Sequence, residues 1–86
     1  MMDDEKAKKL GQSIKANLQV GKDGISEGMV DEINKQVEDK GLVKIKVLRN
    51  SPYLEMEEAV DEIHDHCKAR VVEVRGRTVL LTERRS

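Results

Sequence analysis

Leu18-Gln19-Val20-Gly21-Lys22-Asp23-Gly24-Ile25-Ser26-Glu27 is the stretch that decides the fold of this chain. A short strand, Leu18 to Val20, runs straight into a glycine loop, and Ser26 stands where a helix N-cap belongs. Glu27 falls in the first helical turn, where a carboxylate complements the helix dipole. Met29 or Val30, Ile33 and Val37 give that helix an apolar stripe. Lys40-Gly41 stops it, glycine being free to take the left-handed conformation. Leu42-Val43-Lys44-Ile45-Lys46-Val47-Leu48 then alternates as a strand. Val43, Ile45 and Val47 point one way; Lys44 and Lys46 point the other, alongside Leu42 and Leu48.

Working outward, Ala7, Leu10, Ile14 and Leu18 fall at helical spacing and predict a first helix from Glu5 to Asn17. Gly11 inside it weakens the helix by up to ~1 kcal/mol relative to alanine. Downstream, Asn50-Ser51-Pro52 marks a turn. Met56, Ala59, Val60, Ile63 and Cys67 share one face of a third helix. Val71–Val74 and Thr78–Thr82 flank Arg75-Gly76-Arg77 as an antiparallel hairpin, with Gly76 supplying the backbone freedom of the turn. The element order is α-β-α-β-α-β-β. Its two βαβ connections predict parallel pairing with right-handed crossovers. The expected fold is α/β: one domain over residues 1–86, a four-stranded mixed sheet with packed helices.

Eighty-six residues bury only roughly 60–65% of the unfolded surface, which leaves no room for a second domain or a large cofactor pocket. Charged residues make up 38% of the chain and apolar ones 37%; the regular apolar patterning argues against disorder. The sequence has no run near the ~20 apolar residues that span a bilayer, and its start lacks the apolar stretch of a signal peptide. A single cysteine, Cys67, excludes an internal disulfide framework and fits a reducing compartment. A soluble, cytoplasmic monomer is expected.

The net charge of −1 conceals a segregation. Residues 25–41 carry −3 and residues 51–70 carry −4, whereas residues 42–50 hold three bases and no acid. The second and third helices are acidic; the strands and their ends are basic. Local field, more than net charge, governs an encounter with phosphate. Tyr53 is the lone aromatic, so stacking bases on aromatic platforms is not expected.

Gly21-x-x-Gly24 sits between a strand and a helix start. Glycines let backbone approach a ligand, the helix start supplies free N–H groups, and Lys22 adds a point charge. Asp23 suits phosphate only if it points away. The ordinary reading of such a tetrapeptide is a strand-to-helix turn. The loop lacks the Gly-Lys-Ser/Thr ending of a P-loop. Lys8, Lys15, Lys44, Lys46, Arg49, Arg75 and Arg77 complete the candidate basic set. For Lys44 and Lys46 alone, a solvated strand face with edge-protecting lysines is the common alternative; the absence of carboxylates over residues 42–50 favours anion binding. Arg84-Arg85 reads as a loose tail. His64, His66 and Cys67 suggest a metal site only superficially, because helix residues two apart diverge and Cys67 belongs to the apolar stripe. No metal, cofactor or catalytic group is expected, and nothing points to an enzyme.

Three blocks resemble the YhbY/CRM-domain family of RNA-binding proteins: Leu18 to Glu27, Leu42 to Asn50, and Val72 to Leu81. The resemblance implies a compact fold similar to the C-terminal domain of translation initiation factor three. It implies RNA binding through Gly21, Lys22, Asp23 and Gly24 and through the strand bearing Lys44 and Lys46. Stand-alone bacterial members are associated with large-subunit ribosomal precursors, and multi-domain plant members with intron splicing; this chain is similar to the former. It departs from the family in starting with Asp3-Asp4-Glu5 and ending with Thr82-Glu83-Arg84. The expected partner is structured ribosomal RNA or a pre-ribosomal particle. The competing reading is a protein-interaction module in which the acidic second and third helices, Glu58 and Glu62 included, meet a basic partner such as a ribosomal protein.

Overall fold

The computed structural model describes residues 3–84. The elements follow the order α1 (Asp4–Ser13), β1 (Leu18–Val20), α2 (Glu27–Lys40), β2 (Leu42–Val47), α3 (Met56–His66), β3 (Ala69–Arg75) and β4 (Thr78–Glu83). Local signals account for most boundaries. Ser26 caps α2 by accepting from the Met29 amide at 3.2 Å. Gly41 ends it at φ 75°, its N–H donating to the Val37 carbonyl at 2.8 Å. Gly76 takes φ 58° in the β3–β4 turn.

The sheet order is β1-β2-β4-β3. β1 and β2 pair in parallel, as expected; β4 pairs antiparallel with both β2 and β3. The second crossover departs from the expected pairing. β3 runs parallel to β2 but is not its neighbour, because β4 folds back between them. A tight hairpin makes this placement available, and β4 gains two partners by it.

Strand alternation gives the sheet two unlike faces. On one, Val20, Val43, Ile45, Val47, Val79 and Leu81 meet Ile33 and Val37 of α2 and Ala59 and Ile63 of α3 in the main core. Cys67, just past α3, belongs to that core. On the other face α1 forms a smaller cluster in which Ala7 meets Leu42 and Leu80.

α1 is shorter than its apolar spacing predicts, ending at Ser13 rather than Asn17. The chain turns extended at Ile14, and the Asn17 amide donates to the Lys44 carbonyl at 2.7 Å. The buried positions are Ala7 and Gly11, while Leu10 is 39% exposed. Gly11 allows this: a Cβ there would lie 2.5 Å from Leu80 Cδ2, so a larger residue requires Leu80 to move.

Candidate nucleic-acid interface

The loop between β1 and α2 is a closed turn. The Gly24 amide donates to the Gly21 carbonyl at 3.0 Å, leaving Lys22 and Asp23 exposed at the tip. Its two glycines differ. Gly24 is buried at φ 67°, and a Cβ there would stand 3.0 Å from both Pro52 Cγ and Tyr53 Oη. Its identity is dictated by the fold. Gly21 has no positive φ, and the nearest atom to a Cβ is Leu48 Cδ1 at 4.0 Å. Neither sterics nor dihedral angle requires glycine there, so Gly21 leaves an open approach to the backbone.

Tyr53 supports the loop from behind. Its hydroxyl accepts from the Ile25 amide at 2.9 Å. Sequence reasoning set this residue aside as a lone aromatic unfit for stacking and missed its structural part; the signal was a single tyrosine following a turn proline.

The basic residues divide into two groups. Lys44 is half-buried, and its Nζ donates to the carbonyls of Gly11 at 2.9 Å and Ile14 at 3.2 Å. It neutralises the negative end of α1, as a cation at a helix C-terminus does. Arg77 ties the hairpin turn to the end of β2 through Nε to the Val47 carbonyl and Nη2 to the Leu48 carbonyl, both at 3.0 Å. Lys22, Lys46, Arg49 and Arg75 are exposed and make no ion pair among the described residues.

Register places these cations. Gln19 pairs with Lys46, Lys46 with Thr78, and Thr78 with Arg75. These four side chains form one row on the α1 face, one pleat beyond Lys44 and Leu80. α1 ends beside this row, Gly11 and Gln12 of its last turns sharing a small hollow with Lys44, Glu73, Arg75 and Thr78. Its start lies over the opposite end of the sheet, where Asp4 meets Arg70 at 2.8 Å. The uncovered row opens toward the end of the sheet that carries the Gly21–Gly24 loop, Arg49 and the 75–77 turn. Lys22, Lys46, Arg49, Arg75 and Arg77 therefore gather at one end of the molecule. Lys8, half-buried on α1, and Lys15, exposed after it, lie on the same face but toward its covered half.

The acidic helices occupy the other face. His66 meets Glu62 at 3.2 Å and His64 meets Asp65 at 3.7 Å, all on exposed side chains. Burial pushes the Cys67 thiol up to about 11, against the lowering influence of Arg84. Arg84, read from sequence as part of a loose tail, donates to the His64 carbonyl at 2.6 Å; Arg85 lies outside the described residues. No group of three His, Cys, Asp or Glu side chains is placed to hold a metal among the described residues. Among the described residues no helix is long and apolar enough to cross a membrane.

Fold and surface together define an α/β domain that separates its charges, with acidic helices on one side of the sheet and unpaired cations gathered at one end of the other. The chain belongs to the CRS1/YhbY (CRM) domain family, whose model matches residues 3–81. A Methanocaldococcus jannaschii protein named a "probable RNA-binding protein" is 35% identical over 63 residues, 72% of this chain and 46% of the relative. The chain thus spans about half the length of that curated relative. The solution structure of a Staphylococcus aureus protein, provisionally assigned to RNA binding, matches with a TM-score of 0.74 at 24% identity, covering 100% of this chain and 92% of the other. At that identity the likeness speaks to the fold.

Proposed function

We propose that this domain binds structured RNA by its phosphate backbone, and that the RNA is ribosomal, met during large-subunit assembly in the cytoplasm. The observation that carries the reading is the row Lys46–Thr78–Arg75 left open beyond α1, continuous with the Lys22 tip and Arg49. Family membership and the archaeal relative's name support RNA as the partner. The narrower, ribosomal assignment rests on the family resemblance read from the sequence. The domain binds as a monomer and performs no chemistry of its own. With Tyr53 engaged by the Ile25 amide, contact is with phosphate and helical shape rather than stacked bases.

The loop contributes through Lys22 and through backbone left open at Gly21. The start of α2 adds the amides of Glu27 and Gly28, which lack intrahelical acceptors as all first-turn amides do. Crosslinking in cells, with sequencing of the bound RNA, tests the assignment by comparing wild type with Lys22→Glu. Loss of ribosomal RNA crosslinks in the variant is expected. An unchanged profile removes the loop from the site, and a profile without ribosomal RNA in either protein removes the ribosomal assignment.

A further inference from the structure

The sheet has two edges of unequal length. β1, at one edge, is three residues long. β3, at the other, is seven residues long and, among the described residues, pairs only with β4. Its register shift between Val71 and Glu73 protects the first half of that edge, since a bulge spoils pairing with a newcomer. Residues 73–75 lie beyond the shift and remain regular strand.

Beside this regular half, a groove of about 390 Å³ opens between β3 and the first turns of α3. Met56, Val60 and Val74 supply its apolar lining, and Glu57 and Asp61 its charged rim. Val74 pairs with the fully buried Val79 and so stands on the core side of the sheet. It is nevertheless 42% exposed, because α3 leaves the sheet's edge uncovered. An unpaired strand and an apolar groove beside it are the two requirements for adding a peptide strand: main-chain hydrogen bonds hold it, and alternate side chains enter the groove.

Charge selects the occupant. α3 carries five acids and no lysine or arginine between Met56 and His66. A second copy of this chain pairing β3 to β3 would set two such helices side by side, with like charges opposed. The carboxylates on the rim likewise repel nucleic acid. We infer that the β3 edge and the α3 groove dock an extended, lysine- or arginine-rich protein segment, with an apolar side chain seated on Met56, Val60 and Val74. This surface lies at the opposite edge of the sheet from the Gly21–Gly24 loop; Arg75 at the end of β3 turns to the α1 face, away from the groove that Val74 lines, and the inference does not depend on RNA binding.

The test is an amide-shift titration of the full chain with a short synthetic peptide of alternating lysine and valine. Shifts are expected at Glu73–Arg75 and Met56–Asp61, with the loop at Lys22 unmoved. Val74→Lys and, separately, Glu57→Lys with Asp61→Lys should each weaken binding roughly tenfold while the spectrum stays dispersed. The inference is overturned by equal shifts along the carboxylates of α2, by equal binding of a glutamate–valine peptide, or by no shift at all. It is also overturned if the β3 shifts grow with protein concentration alone, which would make the occupant a second copy.

Discussion

Lys44 and Lys46 are two residues apart on β2 and point to the same side of the sheet, but they lie in different regions. Under the end of α1, the Lys44 ammonium is held by two carbonyl oxygens. One pleat further on, the helix has ended and Lys46 stands in solvent beside Thr78 and Arg75. The covered half of this face uses its cation to hold the fold together; the open half leaves its cations for a partner. Where α1 stops therefore determines which lysine is structural. That point is set by Gly11 lying against Leu80 and by the turn at Ile14.

The comparison is strained most severely by Gly11→Val. Branched carbons there must displace the buried Leu80 side chain or lift the helix, and urea unfolding should show a loss of about 1–3 kcal/mol. Gly24→Ala comes next, at about 1–2 kcal/mol, from its positive φ and its contact with Pro52 and Tyr53. Gly21→Ala should leave stability within about 0.5 kcal/mol and yet weaken RNA binding, separating the two glycines by function. Lys44→Met should cost about 1 kcal/mol, reduced from a buried charge-assisted bond because Lys44 is half-exposed. Lys46→Met should stay within about 0.5 kcal/mol.

A further effect is one of pH. Burial raises the Cys67 thiol from 9.0 to about 11, so between those values the folded state keeps a proton that the unfolded state releases. The stabilisation is complete below pH 9 and is lost as pH rises through 11, where unfolding free energy should decline. Native protein should also react slowly with thiol reagents at neutral pH.

Legibility in the sequence followed the range of the interactions. α2 could be read almost to the residue, because Ser26, the Ile33–Val37 stripe and Gly41 act within a few positions of one another. The alternation of β2 and the hairpin at Gly76 were equally local. The insertion of β4 between β2 and β3 was not legible, since adjacent strands in a chain carry no mark of which edge a hairpin will join. In the candidate site, the residue types of Lys22, Lys46, Arg49 and Arg75 were legible, but their grouping follows from the strand register, which only the structure supplies. The parts played by Lys44, Arg77 and Tyr53 depend on carbonyls and amides about thirty residues away; side-chain type alone could not separate them from free cations or a stacking ring.

RNA affinity measured against salt tests the division of the sheet face most directly. Each free cation released from a phosphate contact should make the slope of log affinity on log salt shallower by about 1. Lys46→Met and Arg75→Met are therefore expected to flatten the slope one step each and two steps together, while Lys44→Met leaves it parallel to wild type. Parallel slopes for all of these variants, or a flattened slope for Lys44→Met alone, would contradict the account.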